Sequence, residues 1–548
     1  MNGPQPAAPA RVPAFLRERP GAAALLLFAV LVLLLDPLRD IPMDDDWMYR
    51  VSVEALLRYG RLTVHDLASP SVVFHAFWGW LFSLPAGANY SALRLSTLAL
   101  AAVPLWLTAE SSPRRGWLNP GLWLLFSPVF LLPAFTYMTD VPYLCWATLS
   151  VWLYARGIEK DSGPLLLAAS AAAGLAFLVR QVGLAIPLCA GVFMLLGPRR
   201  LRPGRLLCLL PAVLAAAGYY AWFYGVHGPN WAHYYYSSKM LPRLLDTGPY
   251  ALETLRRLGA SALYLGLFTA PYALRLLAAE GLGLFRNKRA LACLGALLVF
   301  FLLEGALPYF TGGGVISTGG VGRAYLGDYL PGDFKPAGLF GGPVFLGLLT
   351  LLGALSLAAW CAKWAELREA LRADRFLSLL AAASALQALG MLLFFDAFFD
   401  RYLLPALPAA LLAAAAVPVK APGGRAARAV CGAAACALAF WGVAGTWDHL
   451  NFSSAKWEAG RAAVAAGVPA ENIANGYEWD ALYSYEKNTA ELKRSGKKDL
   501  GPWDWRELSA IKARSSFRQP ETASLAVSSC AWFSPLALRR ETIYVNRE

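Results

Sequence analysis

The amino-acid sequence predicts a mainly α-helical membrane protein that crosses the bilayer many times. Of its 548 residues, 57% are hydrophobic and 16% are charged, and the mean hydropathy is +0.45. A soluble protein would carry about a quarter charged residues. Apolar runs that approach the roughly 20 residues needed to cross a bilayer recur from residue 21 to residue 446. A polytopic helical fold is therefore expected.

The surplus of basic residues behind the net charge of +13 lies in the membrane part of the chain. It does not indicate a nucleic-acid-binding surface. Its basic residues fall in short loops between apolar runs. The tail from Trp447 onward is nearly neutral, with 14 Lys or Arg against 13 Asp or Glu. Positive charge concentrated in alternate short loops is typical of the cytoplasmic side of a membrane protein. We expect the lipid bilayer as a partner and no nucleic acid.

About 13 spans are predicted, starting from a cytoplasmic N-terminus. Basic residues precede the first apolar run and no small-residue cleavage site follows it, which favours an uncleaved span over a signal peptide. The short run 71–86 is predicted as a partly inserted outer helix, because counting it as a span would place most basic loops outside. The candidate spans are 21–38, 90–110, 117–136, 139–157, 163–179, 181–197, 205–226, 258–278, 289–308, 339–361, 376–396, 402–419 and 427–446.

Two domains are expected, because the composition changes after residue 446. Residues 1–446 form the membrane domain, and residues 447–548 form a small α/β domain outside the cytoplasm, since an odd number of spans separates the termini. In this tail, Arg461 to Gly467 indicates a helix, 472–479 a strand and a turn, and Glu541 to Asn546 a final strand.

The first outer loop, residues 39–89, is predicted to hold an amphipathic helix. Arg50, Glu54 and Arg58 recur every four residues and therefore share one face. Apolar side chains occupy the opposite face, and Gly60 is a typical stop. A helix of this kind lies along the membrane surface.

Three consecutive aspartates, Asp44, Asp45 and Asp46, precede this helix and follow the first span. One explanation is that Asp46 caps the helix and the other two favour its dipole. One aspartate suffices for a cap, however, and adjacent carboxylates raise one another's pKa. Ionisable groups at the mouth of a span more often have a function.

Three further charged residues are predicted at outer span ends: Asp140, Arg180 and Arg401. Asp140 could simply begin a helix, and the arginines could extend toward the head groups by snorkelling. The functional alternative is that the arginines hold a lipid phosphate, which a guanidinium grips with two hydrogen bonds.

Two long outer loops leave their roles open. Loop 227–257 is rich in aromatic residues, which is typical either of an interfacial belt or of a sugar-stacking surface. Loop 309–338 is rich in glycine, as in a disordered segment or a mobile lid.

These motifs resemble the GT-C superfamily of polyprenyl-phosphate-sugar-dependent glycosyltransferases, in the branch of bacterial aminoarabinose transferases and protein O-mannosyltransferases. That family has a first span followed by Asp-Glu-x-x-Tyr, a later Thr-Asp, a Gly-Leu before a basic residue, and Arg-Tyr-Leu-Leu-Pro near its last spans. The matching segments are Asp45 to Tyr49, Thr139-Asp140, Gly174-Leu175 with Arg180, and Arg401 to Pro405, and the tail's 475–479 is also similar. Two segments depart from the family pattern: its Asp-Glu is Asp45-Asp46, and its Lys-Pro is Ser69-Pro70.

The resemblance implies an enzyme of the bacterial plasma membrane that moves a sugar from a polyprenyl-phosphate carrier to a lipid, protein or glycan acceptor on the outer face. A carboxylate would remove the proton of the acceptor hydroxyl, and one displacement would invert the anomeric centre. We expect Asp45 to be the base, with Asp46 and Asp140 orienting it or the acceptor. The expected substrate-binding residues are Asp44, Tyr49, Arg94, Arg180 and Arg401.

Two alternatives remain open. A flippase or transporter of lipid-linked sugars would also need many spans, although it would favour charges near span midpoints and repeated halves. A glycan polymerase or ligase would differ only in its acceptor. No cofactor is firmly expected, and the residues leave open a divalent cation such as Mg²⁺ or Mn²⁺.

Overall fold

The computed structural model of the chain consists almost entirely of helices, with one small sheet near the C-terminus. This confirms the predicted fold class, a mainly helical membrane protein with a small sheet-containing tail. The structure describes residues 18–112, 114, 116–197, 201–245, 247–304, 343–394, 399–419, 425–494, 505, 513–516, 524–534 and 537–547.

From Pro20 to Trp222 the described residues form ten α-helices. They are α1 Pro20–Leu35, α2 Asp46–Tyr59, α3 Val73–Ser83, α4 Tyr90–Glu110, α5 Pro120–Phe126, α6 Pro128–Ala134, α7 Asp140–Lys160, α8 Gly163–Val179, α9 Ala185–Leu196 and α10 Leu210–Trp222. A 3₁₀ turn, Gln181–Leu184, precedes α9, and a π-helical turn, Phe223–His227, follows α10.

From Trp231 onward lie the remaining described helices and the strands. The helices are α11 Trp231–Leu245, α12 Thr247–Phe268, α13 Ala270–Glu280, α14 Lys288–Glu304, α15 Pro343–Ala362, α16 Trp364–Ala373, α17 Arg375–Phe394, α18 Leu407–Ala416, α19 Arg425–Ala465 and α20 Tyr477–Arg494. The strands are β1 Ile473–Ala474, β2 Ala513–Ser516, β3 Ala526–Ser534 and β4 Ala537–Arg547, and a 3₁₀ turn, Asp400–Ala406, leads into α18.

Helix length and composition support a multi-pass membrane protein. Within the described ranges, four helical stretches are long and apolar enough to cross a bilayer: Tyr90–Glu110, Pro203–His227, Arg375–Leu393 and Ala429–Ala465. Two bent pairs pass the same test as broken spans, and three shorter apolar helices accompany them. The count of about 13 spans stays a prediction.

Proline and local bends explain why several predicted spans are broken. The run 117–136 is interrupted at Ser127, because Pro128 has no N–H to continue the helix. The run 258–278 bends by 69° between Phe268 and Ala270. The two pieces of 117–136 have seven residues each, and the bent pair passes as a span only when its two helices are taken together.

The helix predicted after the three aspartates is confirmed. It runs from Asp46 to Tyr59, Gly60 ends it with a left-handed φ of 61°, and Arg50 pairs with Glu54 at 2.7 Å. Four of its residues, Trp47, Met48, Tyr49 and Val53, are buried beside Tyr477, Tyr485 and Trp505 of the tail, whereas Val51 and Tyr59 are exposed. The tail therefore packs directly on the first outer loop.

The tail combines the end of α19, helix α20 and a four-stranded sheet of order β1-β2-β4-β3. Strands β1 and β2 are parallel, and the other neighbours are antiparallel. The predicted final strand lies within β4. The division at residue 446 stays a prediction, and the continuous helix α19 runs through that point.

Two sequence interpretations were wrong. The segment 227–257 is mostly helical rather than a loop, because α11 and the start of α12 occupy it. In 472–479 the strand is only two residues long, and a helix begins at Tyr477 where a turn was expected. The glycine-rich segment 309–338 lies outside the described residues.

Candidate functional site

A cleft of about 490 Å³ lies where the first outer loop meets the ends of several helices. Three of its lining residues are charged, Asp45, Arg180 and Arg401, and a mixed polar and apolar wall surrounds them. That wall consists of Tyr49, Ser69, Pro70, Met138, Gln181, Val182, Met391 and Tyr402.

Asp45 is the aspartate of the triplet that lines the cleft. It directly precedes helix α2, and its side chain makes no capping hydrogen bond there. Its Oδ1 instead accepts a hydrogen bond of 3.0 Å from the hydroxyl of Tyr477. Burial raises the pKa of Asp45, while the charge of Arg401 and the Tyr477 hydrogen bond oppose that rise. A raised carboxyl pKa is typical of a group that accepts a proton during a reaction.

The two cleft arginines are held together by Asp140. The carboxylate Oδ2 of Asp140 lies 2.9 Å from Nη2 of Arg180 and 4.0 Å from Nε of Arg401. Arg180 also donates from Nε to the Thr139 hydroxyl at 2.8 Å. Thr139 and Asp140 therefore both contact the guanidinium of Arg180. Thr139 does not cap helix α7 with its side chain.

Arg401 reaches the cleft from the 3₁₀ turn formed by its Arg-Tyr-Leu-Leu-Pro motif. Its Nη1 donates to Oδ2 of Asp44 at 3.3 Å, and its guanidinium lies 4.4 Å from the ring centre of Phe399. Its buried Nε has no hydrogen-bond partner among the described residues. A bound anion could accept a hydrogen bond from this atom.

Asp44 links the cluster to the tail. Its backbone N–H donates to Oε1 of Glu478 at 3.1 Å, and its carboxylate pairs with Arg401. Its φ of 55° is left-handed, a conformation that costs free energy for a residue other than glycine and that often occurs at functional sites. Burial raises the pKa of Asp44, and the charge of Arg401 opposes this. The two contacts fix this strained residue.

Asp46 and Arg94 do not line the cleft, which differs from the catalytic and substrate-binding roles expected of them. Asp46 is fully buried, and its carboxylate accepts hydrogen bonds from the backbone N–H groups of Met43 and Tyr137, at 3.3 and 2.7 Å. It is the first residue of α2 rather than its cap. Burial raises the pKa of Asp46 well above its ordinary range. Its position indicates that it fixes the course of the first loop.

Arg94, on helix α4, is also fully buried and acts on the same loop. Its guanidinium donates to the carbonyl oxygens of Pro37, Arg39 and Ile41, at 2.8, 2.8 and 3.0 Å. Three buried carbonyls are satisfied by one side chain, which holds the chain that leads into the aspartates. Arg94 therefore supports the segment that leads to the aspartates and does not itself line the cleft.

Several cleft residues were not predicted from the sequence. The side chain of Gln181 donates to the carbonyl of Ser69 at 3.0 Å and closes one wall. Met391 lies on helix α17 and Tyr402 in the 3₁₀ turn Asp400–Ala406. Tyr477 of the tail contacts Asp45 without itself lining the cleft. Tyr402 and Gln181 directly follow the arginines that were singled out, and Tyr477 lies in the segment 475–479 that resembles the family, so a sequence signal was available for these three.

Within the described ranges, no group of three or more His, Cys, Asp and Glu side chains is arranged to hold a metal ion. Two carboxylates beside the cleft, those of Asp140 and Asp44, are paired with its arginines.

Comparison with known proteins gives only distant similarities. No family model and no curated protein matches the chain. The crystal structure of ArnT from Cupriavidus metallidurans bound to undecaprenyl phosphate is 12% identical, with 95% of this chain and 97% of that chain covered and a TM-score of 0.44. The cryo-EM structure of arabinosyltransferase EmbB from Mycobacterium smegmatis is 13% identical, with 88% and 44% covered and a TM-score of 0.34.

The apo structure of the same ArnT gives a TM-score of 0.42 at 13% identity, with 96% of this chain and 98% of that chain covered. This similarity to solved structures is distant in all three cases. At TM-scores below 0.5 it carries no argument about the site or the reaction.

Proposed function

We propose that this protein is a membrane glycosyltransferase that moves a sugar from a polyprenyl-phosphate carrier to an acceptor hydroxyl on the outer face of the membrane. The observation that carries the proposal is the composition of the cleft: one carboxylate, Asp45, shares it with two arginines, Arg180 and Arg401. The carboxylate suits a proton acceptor, and the arginines suit a phosphate.

The arginines are suited to the leaving group of this reaction. When the bond between the anomeric carbon and the phosphate oxygen breaks, negative charge develops on the lipid phosphate. Cationic donors that are already oriented stabilise such charge most effectively. Asp140 pairs closely with Arg180, at 2.9 Å, and lies 4.0 Å from Nε of Arg401. That Nε makes no hydrogen bond to the described residues, so a phosphate oxygen could accept one from it.

Asp45 is suited to the nucleophile. It accepts the proton of the acceptor hydroxyl while the acceptor oxygen bonds to the anomeric carbon, and the carrier phosphate leaves with the electron pair of the broken bond. This single displacement inverts the anomeric centre. Because burial raises the pKa of Asp45, it holds the proton more readily than a surface carboxylate does.

The remaining lining residues fit a lipid-linked donor. Met138, Val182 and Met391 supply apolar surface close to the arginines, as the first units of a prenyl chain require. Tyr49 and Tyr402 supply aromatic surface for a sugar ring. Ser69 occupies the place of the lysine in the family's Lys-Pro, so the phosphate would rely on the two arginines.

The test is transfer of sugar from synthetic polyprenyl-phosphate sugars to cell-envelope acceptors by the purified protein in liposomes. Asp45→Asn keeps the size of the side chain and removes the base, so we expect a loss in kcat of about a hundred- to ten-thousand-fold, with donor binding retained. Asp36→Asn changes an exposed carboxylate just after helix α1 and should transfer at the wild-type rate.

Two results would contradict the proposal. If the wild-type protein moves intact lipid-linked sugar across the bilayer and never cleaves it, the protein is a flippase. If folded Asp45→Asn still binds donor and turns over within a few-fold of wild type while Asp44→Asn or Asp140→Asn is inactive, the base is one of those residues instead.

A further inference from the structure

The tail reaches the acidic cluster through two consecutive residues at the start of helix α20. The Tyr477 hydroxyl donates to Oδ1 of Asp45 at 3.0 Å. The next residue, Glu478, accepts the backbone N–H of Asp44 at 3.1 Å. One helical turn of the tail therefore contacts both the backbone and the side chain of the aspartate segment that borders the cleft.

This turn is fixed from within the tail. The second oxygen of Glu478 lies 2.6 Å from Nζ of Lys456, and both side chains are fully buried. Asn475 donates to the carbonyl of Lys456 at 2.9 Å and accepts a hydrogen bond from Ser515 of strand β2 at 2.6 Å. The start of α20 is thus tied to helix α19 and to the sheet.

Gly476 permits this close approach. Its φ is +99°, where a residue with a side chain is strained, and a Cβ at this position would lie 3.2 Å from Nζ of Lys456. The chain can therefore turn into α20 directly against the buried ion pair. Tyr477 follows at once, so its direction is set by a rigid support.

We infer that Tyr477 is a positioning residue for Asp45, so that the C-terminal tail completes the site of the membrane domain. The inference rests on the proposed function, in which Asp45 is the base. By donating to Oδ1, the hydroxyl fixes the rotation of the carboxylate and leaves Oδ2 free to accept the proton of an incoming hydroxyl. A catalytic group is effective only when neighbouring contacts hold it in the productive geometry.

The kinetic test is Tyr477→Phe, which removes one oxygen and keeps the ring. A hydrogen bond to a charged group contributes enough free energy that its loss should lower kcat roughly ten- to a hundredfold. The KM for the donor should stay unchanged, because the arginines are intact. The acid limb of the pH–rate profile should move to higher pH, since a donor that favours the charged form of Asp45 has been lost.

Tyr483→Phe is the matched control, because it makes the same change on the same helix at a side chain that is 43% exposed. It should leave kcat, KM and the pH profile as in wild type. Other titratable or charged groups face Asp45 and are unchanged in both variants, so they cancel in the comparison; they are Asp44, Tyr49, Asp140, Arg180, Arg401 and Tyr402.

A second measurement does not depend on activity. With 3-fluorotyrosine at position 477 the hydroxyl is kept, and its ¹⁹F resonance should shift as Asp45 titrates. Asp45→Asn should abolish that titration, and Asp36→Asn should not.

The outcomes separate the inference from the proposed function. If wild type transfers sugar and Tyr477→Phe has an unchanged rate and acid limb, the positioning role is wrong and the proposed function stands. If wild type transfers no sugar but the fluorine signal follows Asp45, the contact is real and the proposed function is wrong. A fluorine signal that is the same in wild type and Asp45→Asn overturns the inference regardless of activity.

Discussion

Lys456 and Glu478 form a buried ion pair. We predict that one substitution in this pair reverses the direction in which the stability of the tail changes with pH. Nζ and Oε2 are 2.6 Å apart, and neither side chain is exposed. Removing one partner of such a pair typically costs about 3–5 kcal/mol, because the other charge stays buried without compensation. We consider Lys456→Met, which replaces the cation with an apolar chain of similar length.

The magnitude at pH 7 follows from the proton that Glu478 would then take up. An ordinary glutamate has a pKa of about 4.3, so keeping it protonated at pH 7 costs about 2.7 × 1.36, or roughly 3.7 kcal/mol. At pH 5 the same cost is about 1 kcal/mol. Lys456→Met should therefore destabilise the tail by roughly 4 kcal/mol at pH 7 and by much less at pH 5.

In the wild-type protein, the contribution of Glu478 to stability changes with pH in the opposite direction. Burial alone would raise the pKa of Glu478, but the charge of Lys456 and its hydrogen bond outweigh burial and lower it. A carboxyl whose pKa is depressed on folding contributes stability above its unfolded pKa and loses it as the pH falls through its folded pKa. In Lys456→Met the folded pKa is raised, so this contribution is present in acid and declines as the pH rises from about 5 to 7.

The assay is amide hydrogen exchange of helix α20, which reports local opening of the tail in the intact protein. Lys493→Met is the control, since its side chain is 65% exposed and its pairing with Asp66 at 3.6 Å contributes little. The double variant Lys456→Met/Glu478→Gln carries no charge at the site, so it should recover most of the lost stability and show no pH dependence from this site. A Lys456→Met protein whose protection does not improve between pH 7 and pH 5, relative to the control, would refute the reasoning.

Two other predictions concern the donor and the orientation in the membrane. Arg180→Ala should weaken binding of a polyprenyl-phosphate donor at least tenfold, because a cleft cation at hydrogen-bond distance from Asp140 is lost; unchanged affinity in the folded variant would remove Arg180 from the phosphate site. The charge asymmetry of the loops predicts a cytoplasmic Arg199–Arg205 and an external tail, so an impermeant thiol reagent should label Cys530, whose side chain lies outside the described residues, in intact cells. Labelling only after lysis, although Cys530 reacts in the detergent-solubilised protein, would show that the orientation is reversed.

Local signals in the sequence were sufficient for helix α2. Its charged residues at four-residue spacing and its terminal glycine depend only on neighbours within one or two turns, and the helix begins and ends where they indicate. In the aromatic segment 227–257, local composition was misleading. Its polar and aromatic composition suggested a loop, yet the backbone there is helical, and Asn230 docks it by donating to the carbonyls of His65 and Ala68.

The roles of individual charges could not be predicted, because they depend on contacts between residues far apart in the chain. The three aspartates were given different roles from the sequence, but the groups that each one meets depend on the direction of its side chain. Asp44 faces Arg401, Asp45 faces the cleft and Asp46 faces backbone N–H groups in the interior. Arg94 similarly satisfies carbonyls more than fifty residues earlier.

The arrangement of charge around Asp45 explains why a base and two cations can share one cleft. In the proposed reaction a sugar phosphodiester with one negative charge becomes a lipid phosphomonoester with up to two, while Asp45 changes from a carboxylate to a neutral acid. The total charge in the cleft is therefore the same before and after transfer, and negative charge moves from Asp45 to the phosphate that Arg180 and Arg401 face. If Asp45 could not take the proton, the same step would have to place additional negative charge beside Asp44 and Asp140, whose carboxylates already oppose it. In the proposed reaction the carboxylate and the arginines therefore act together, and loss of the base should slow departure of the phosphate as well as attack by the hydroxyl.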